Sequence, residues 1–294
     1  MIDACSALIA LVTLALPPAD TLRTDTATLA SYYSADAIFR FAGNLKDQGD
    51  YERAAAEYER LLFLKSPQYS RPLVIEQIAQ CQASQGAYTE AARWYHTLCG
   101  ESVSSADSIR FGMLELGMLY RIARYRSVVD RCDSLGKTAD ARIPAVRTAA
   151  LLHLNEIDQA RISAAETQQC HGTDSSIPAA ARAWVAEYAS LPQKSAAVAG
   201  ALSAMVPGAG KVYVGRTKDG FLALMLTAFF GWQAWDGYTR EGISSFKGNA
   251  CAALGGAFYL SNIYGSVIAV RVCNQQRKDA TLKKIDMSVQ MQLP

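Results

Sequence analysis

The stretch Gly49-Asp50-Tyr51-Glu52-Arg53-Ala54 returns 37 residues later as Gly86-Ala87-Tyr88-Thr89-Glu90-Ala91. Each copy places a glycine just before a helix start, which is typical of the turn between two helices. Apolar residues flank the first turn at the spacing of a helix face, with Ile38, Phe41, Ala42 and Leu45 before it and Ala54, Tyr58 and Leu61 after it. This period of 3.6 residues predicts amphipathic helices that pair across each turn.

Two weaker copies follow. The third centres on Leu116-Gly117 and Tyr120, and the fourth begins near Leu151 and turns at Asn155-Glu156. Self-similarity at this period predicts stacked helical hairpins, so we expect an all-α solenoid of about four hairpins over residues 34–170. A further helix over 177–192, bounded by prolines, is predicted to cap the stack.

Phe41-Ala42, Ala54 and Tyr58 in the first unit, and Leu116-Gly117 with Tyr120 in the third, resemble the tetratricopeptide repeat. A generic helical bundle is the competing interpretation. The resemblance implies a concave face, built by the first helix of each hairpin, that binds extended peptides or partner helices. The residues predicted to line that groove are Phe39, Lys46, Glu76, Gln80 and Arg121.

The composition changes near residue 193. Hydrophobic residues make up 50% of the chain and charged residues 19%, and the deficit of charge lies mostly in the last third. Three apolar stretches cover 195–206, 220–236 and 248–272. They predict a membrane domain over 195–273 with two to three transmembrane helices, followed by a basic C-terminal tail over 274–294. Small residues at every fourth position, beginning at Ala196, favour close helix contacts and an oligomer through those faces.

The charge distribution suggests a topology. The loop 207–219 and the tail are basic, which favours placing both in the cytoplasm. Three spans, the arrangement we favour, would then leave the repeats outside. Two spans, with the stretch 195–206 interfacial or re-entrant, would leave both ends on the same side.

The segment Gly210-Lys211-Val212-Tyr213-Val214-Gly215-Arg216, followed by Gly220 and then by Trp232 or Trp235 with Asp236, resembles the TM2 domain over residues 195–238. The later Asn262-Ile263-Tyr264-Gly265 is similar to bacterial proteins that join such a segment to tetratricopeptide repeats. These resemblances imply a bacterial inner-membrane protein and carry no settled biochemical activity.

The residues at this turn have a physical interpretation. Gly208, Gly210 and Gly215 allow a tight turn, while Lys211, Arg216 and Lys218 would meet anionic headgroups beside Tyr213. The alternative is a site for lipid or for a partner helix. Gln233 and Asn262 are polar within apolar runs, so we expect them to form interhelical hydrogen bonds before we expect a transport site.

An apolar core of about ten residues near the N-terminus predicts a signal peptide over 1–19 and hence export of the repeats to the periplasm. The alternatives are a misassigned start or an apolar helix packed on the repeats. Export would allow one or two disulfides among four cysteines, whereas the interpretation we favour is that they pack as small hydrophobic residues. Those cysteines are Cys81, Cys99, Cys132 and Cys170.

Several chemistries lack their sequence signals. The net charge of +2 does not favour nucleic acid, and Val212 replaces the Ser or Thr that a phosphate loop requires after Lys211. The three histidines and the cysteines lack zinc spacing, the carboxylates are scattered over helix surfaces without an acid/base pair, and Gly-x-Ser-x-Gly is absent. We therefore expect no metal, no cofactor and no enzymatic activity. The sequence therefore predicts a membrane-anchored adaptor or scaffold that binds protein partners in envelope assembly. The alternative is a small transport or membrane-protein-assembly unit regulated by the solenoid.

Overall fold

The computed structural model describes residues 33–102, 104–136, 140–170 and 176–293. The predicted signal peptide at 1–19 lies outside these residues. Within them the chain is 83% helical and contains no strand, and consecutive helices pack on one another. The prediction of an all-α fold built from helical hairpins is confirmed.

Four hairpins form the N-terminal solenoid. They pair α1 (Ala35–Asp47) with α2 (Tyr51–Leu64), α3 (Arg71–Ser84) with α4 (Tyr88–Glu101), α5 (Ser105–Arg121) with α6 (Tyr125–Leu135), and α7 (Arg142–His153) with α8 (Ile157–Glu166). A short 3₁₀ turn (Thr167–Gln169) follows α8, and α9 (Ser176–Ala189) then packs on α7 and α8.

All four hairpin turns use the same backbone device. One residue in each turn is left-handed, with φ of 81° at Gly49, 86° at Gly86, 56° at Ala123 and 60° at Asn155. The next amide bonds the carbonyl five residues earlier, as from Asp50 to Leu45 and from Glu156 to Leu151. This is the Schellman arrangement, which closes the helix end by satisfying its last carbonyls. The repeat therefore persists in the third and fourth hairpins without a glycine.

Small residues lie where the paired helices cross. Ala42, Ala54, Ala79 and Ala91 are fully buried, so the backbones approach closely and larger side chains fill the space between the crossings. Tyr58 is one of these larger side chains and is only 2% exposed. The solenoid core consists of three clusters of buried apolar residues along the stack, which share the partly buried residues Leu62, Trp94 and Leu119.

The C-terminal part begins with two short helices, α10 (Ala196–Met205) and α11 (Ala209–Tyr213), and ends with two long ones, α12 (Thr217–Glu241) and α13 (Phe246–Gln292). The last two form an antiparallel hairpin in which Phe230 stacks on Phe258, with ring centroids 5.3 Å apart. The hairpin leaves large apolar side chains exposed, among them Phe221, Leu222, Met225, Phe229, Trp232, Trp235, Leu254, Phe258, Leu260 and Tyr264.

One helix of the described chain, α13, is long and apolar enough to cross a membrane by length and composition. Its most apolar window of 18 residues has a mean hydropathy of 1.4, and 22% of that window is buried. The stretch predicted as a second span, 220–236, lies in α12, whose polar second half lowers its hydropathy. The structure thus supports one candidate span where the sequence predicted two to three.

The predicted basic tail, 274–294, is not a separate segment. Helix α13 continues through it without interruption to Gln292. Leu282, Ile285 and Val289 are buried in the solenoid core with Leu152 and Trp184. The tail and the repeats therefore lie together, whereas the three-span arrangement would place them on opposite sides of a membrane. The number of spans stays a prediction. Lys283 and Lys284 of this segment are exposed, whereas Lys278 bonds Asn155 of the solenoid. In the sequence these lysines made the segment read as a solvated tail.

Candidate functional site

A row of polar side chains crosses the first helices of three successive hairpins. Lys46 of α1 donates hydrogen bonds to Gln77 (2.8 Å) and to Gln80 (2.6 Å) of α3. Gln80 contacts Glu76 at 3.4 Å, and Arg110 of α5 pairs with Glu76 at 2.7 Å. We call these five residues the polar ladder. It lies on the helices that line the inner face of a stack of this kind.

The ladder brings together three of the five predicted groove residues, namely Lys46, Glu76 and Gln80. Phe39 lies elsewhere, stacked on Tyr69 with ring centroids 4.3 Å apart, and Arg121 lies over the ring of Tyr88. Sequence reasoning missed Gln77 and Arg110. A spacing of 34 residues joins Lys46 to Gln80 and Glu76 to Arg110, so a search at that period would have found Arg110.

A second polar cluster attaches the end of α13 to the solenoid. The Tyr120 hydroxyl donates a hydrogen bond to Asp286 Oδ1 at 2.5 Å, and His153 Nε2 lies 2.7 Å from the same oxygen. Tyr125 stacks on the His153 ring at 3.9 Å. Burial raises the pKa of Asp286, but the hydrogen bonds from His153 and Tyr120 outweigh it and hold that pKa below its usual value. The carboxylate is therefore charged at neutral pH and fixes the register of α13.

Residues 194–216 extend away from the solenoid and then turn back, so that the end of the segment lies near its start. Lys194 opens the segment and exchanges hydrogen bonds with Asn274 of α13. Its ammonium also reaches the carbonyl of Tyr213, and the Tyr213 ring lies 5.1 Å from it. Helix α10 has ten residues and rises about 15 Å, half the thickness of a bilayer core. We call residues 194–216 the re-entrant segment, because Lys194 at its start bonds the carbonyl of Tyr213 near its end.

Glycines allow the re-entrant segment to fold tightly. Gly208 has a φ of 91°, and a Cβ there would lie 2.0 Å from the carbonyl oxygen of Gly220. A Cβ on Gly210 would lie 2.2 Å from the carbonyl oxygen of Ala199. Gly215 also has a positive φ, 93°, but no atom lies within 4 Å of its Cβ position. The amide of the next residue, Arg216, bonds the Lys211 carbonyl in the same Schellman pattern as the solenoid turns.

Serines rather than the predicted amides join the helices here. Ser203 Oγ donates to Ser266 Oγ at 2.7 Å and accepts from the Gly210 amide at 3.0 Å. Asn262 is 4% exposed, yet neither polar atom of its side chain has a hydrogen-bond partner among the residues that the structure describes. Gln233 makes no hydrogen bond within the part of the chain that the structure describes. Within residues 33–102, 104–136, 140–170 and 176–293, the side chains of Gln233 and Asn262 thus make no interhelical hydrogen bond.

The basic residues of the turn separate into two groups. Lys211 and Arg216 line a groove against α13, where Arg216 pairs with Asp219 at 3.4 Å. Lys218 is exposed and does not line this groove.

Two of the cysteines act in packing. Cys81 and Cys132 are fully buried among apolar residues, and burial raises the pKa of the Cys132 thiol to about 12. A neutral, enclosed thiol of this kind is chemically inert. Among the described residues, no group of three or more His, Cys, Asp or Glu side chains is placed to hold a metal ion.

Comparison with known proteins gives no family for this chain. No protein-family model, no curated protein and no solved structure matches it. The tetratricopeptide and TM2 resemblances therefore rest on the sequence motifs alone, beside the helical hairpins of the fold.

Proposed function

We propose that the protein is a membrane-anchored, non-enzymatic adaptor or scaffold, whose solenoid binds protein partners in the assembly of the cell envelope. The single observation that carries this proposal is the continuity of α13. Its first half presents exposed apolar residues, and its second half is part of the solenoid core. A chain of this form holds a binding surface at a fixed place beside a bilayer.

The polar ladder is the proposed partner surface. Its members come from three hairpins, so a bound peptide or helix would contact several repeats at once. Arg110 is half exposed at the end of the ladder, which leaves its guanidinium accessible to a partner carboxylate. Arginine in such a position is common among the residues that dominate binding energy.

We further propose that α12 and α13 cross the bilayer as a two-span hairpin, with the re-entrant segment at one end. The 25 residues of α12 measure about 37 Å, enough for a hydrocarbon core of about 30 Å. Asp236 pairs with Lys247 at 2.8 Å across the opposite end, which ties the hairpin together where it meets water. In a bilayer, lipid acyl chains would surround the exposed aromatic residues of this hairpin, which would otherwise contact water.

The proposed orientation places the solenoid in the cytoplasm of a bacterial cell, beside the inner membrane. The solenoid end of the hairpin carries Lys194, Lys211, Arg216, Lys218 and Arg271, whereas the tip carries Arg240 and Lys247. The positive-inside rule favours the first end as cytoplasmic. Export to the periplasm, the alternative, depends on the predicted signal peptide and on three spans; the proposed two-span hairpin instead keeps the tail and the repeats on one side, in keeping with the packing of α13 on the solenoid.

The orientation predicts the outcome of cysteine labelling. In intact spheroplasts of a variant whose native cysteines are replaced by serine, Ser244→Cys at the hairpin tip should react with a membrane-impermeant maleimide. Met291→Cys and Glu57→Cys, at the end of α13 and in the solenoid, should react only after the membrane is permeabilised. Labelling of both Met291→Cys and Glu57→Cys in intact spheroplasts, with Ser244→Cys protected, would instead support export. If only one of Met291→Cys and Glu57→Cys were labelled in intact spheroplasts, the two-span hairpin would be contradicted.

The partner surface predicts a difference between two matched arginines. Arg110→Glu and Arg93→Glu each remove one exposed arginine from an ion pair, with Glu76 and Glu90 respectively. Because only Arg110 lies on the ladder, its variant should lower the yield of a co-purified partner by about tenfold or more, and Arg93→Glu should leave it unchanged. The measurement is quantitative mass spectrometry after crosslinking in whole membranes.

Two outcomes would oppose the adaptor. Equal yields for both variants would contradict the proposal that the ladder is the partner surface. The absence of any crosslink to residues 34–170 would contradict the adaptor function itself. Unchanged partners together with a lost phenotype after Asn262→Ala would support the alternative, a transport or membrane-assembly unit.

A further inference from the structure

A groove of about 420 Å³ lies where the re-entrant segment and the start of α12 meet α13. Two cations, Lys211 and Arg216, occupy its end nearest the solenoid, together with one carboxylate, Asp219. The carboxylate pairs with Arg216 at 3.4 Å, and the Lys211 ammonium has no hydrogen-bond or ion-pair partner among the described residues. This end of the groove therefore carries a net positive charge and an unused donor.

The opposite end of the groove is apolar. Leu222 and Leu226 of α12 and Phe258 of α13 line it, and all three belong to the hairpin that we propose lies in lipid. The lining changes from charged to apolar along the axis of α12, because Arg216 precedes the helix and Leu226 follows two to three turns later. A ligand that fills the groove must be polar at one end and apolar at the other.

Asn262 lies between the two ends. It lines the groove and is 4% exposed, and its carboxamide oxygen and nitrogen are both buried with no partner in the described part of the chain. A buried amide without hydrogen bonds is unfavourable, and in a bilayer core water is scarce as a substitute partner. Asn262 is one helical turn deeper along α13 than Gly265, which lies against the side chain of Lys211. Its amide therefore lies just below the level of Lys211, with its hydrogen-bonding capacity unused.

We propose that this groove binds one anionic phospholipid. Its phosphate would accept hydrogen bonds from Lys211 and Arg216, and an ester group of its glycerol backbone would pair with Asn262. The beginning of an acyl chain would pack on Leu222, Leu226 and Phe258. This order of phosphate, ester and acyl chain matches the order of side chains along the groove. The inference rests on the proposed insertion of the hairpin in a bilayer.

Native mass spectrometry of the full-length protein in detergent tests the site. The probes are phosphatidylglycerol and phosphatidylcholine with identical acyl chains, each added at the same concentration. The wild-type protein should retain one phosphatidylglycerol in preference to phosphatidylcholine. Lys211→Gln and Asn262→Leu should each lower that one-lipid occupancy by about tenfold, the weight of one charged or buried hydrogen bond. Lys247→Gln, which removes a lysine at the other end of the hairpin, is the matched control and should have no effect.

Other results would overturn the proposal. Equal binding of the two lipids, or an equal loss in Lys211→Gln and Lys247→Gln, would show diffuse attraction to charge. Inorganic phosphate that competes with phosphatidylglycerol at equal concentration would show a site for free phosphate instead. Arg216→Gln removes the other cation of the groove, from a side chain that is 60% exposed. It therefore keeps the test decisive even if Asn262→Leu fails to fold. Release of the wild-type protein by alkaline carbonate would contradict the membrane insertion itself, whereas an embedded protein without lipid preference contradicts only the groove.

Discussion

Gly208→Ala is expected to unfold the re-entrant segment. The added Cβ would lie 2.0 Å from the carbonyl oxygen of Gly220, and that oxygen belongs to the backbone of α12, which cannot rotate away. The φ of 91° adds the ordinary cost of a left-handed alanine. Together these effects place the loss of stability in the exceptional range of about 4 kcal/mol or more. Thermal unfolding of the detergent-solubilised protein and trypsin cleavage at Lys211 or Arg216 would measure it.

Gly215→Ala is the matched control for this prediction. Gly215 has nearly the same φ, 93°, but its Cβ position is open. The substitution should therefore cost only the conformational term of about 1–2 kcal/mol. Gly210→Ala should resemble Gly208→Ala, because its Cβ would meet the Ala199 carbonyl at 2.2 Å. If the three variants lose equal stability, close backbone contact is not what these glycines provide.

Ile285→Asp is expected to detach the end of α13 from the solenoid. Ile285 is 1% exposed within the core that contains Leu152 and Trp184, and an aspartate there would bury a charge with no partner. We expect a loss of about 4 kcal/mol or more in the stability of this contact. The detached segment would lose its amide protection in hydrogen exchange and become cleavable by trypsin at Lys283 and Lys284.

Met287→Asp tests whether burial or charge is responsible. Met287 lies two residues further along the same helix and is 55% exposed, so the same substitution should leave exchange and cleavage nearly unchanged. Equal protection in Ile285→Asp and in the wild type would contradict the packing of α13 on the solenoid, and with it the common side of tail and repeats.

The helical hairpins could be predicted from the sequence, but the way in which the solenoid and the C-terminal helices join could not. Gly49 and Gly86 marked the first two turns because glycine favours a positive φ, while Ala123 and Asn155 adopt the same conformation without that signal. The apolar positions of the tail, Leu282, Ile285 and Val289, follow helical spacing, but the lysines between them suggested a solvated segment.

Long-range pairing also limited the prediction of the site. Lys46 and Gln80 could be chosen as first-helix residues, yet the bonds that join them to Gln77, Glu76 and Arg110 depend on how the hairpins stack. Asn262 was recognised as a polar residue in an apolar run. That its amide would remain unpaired depends on the neighbouring helices, and Ser203 and Ser266 bond to each other instead.

Helix α13 is continuous over about 70 Å, so a change of tilt in one half also moves the other half. Bilayers of different thickness change the tilt of a spanning helix at modest energetic cost. Because no break in the helix separates the lipid-facing half from the half packed in the repeats, a change of tilt would move the whole solenoid relative to the headgroup plane. Membrane thickness would thus set the distance of the polar ladder from the lipid surface and from the proteins assembled there.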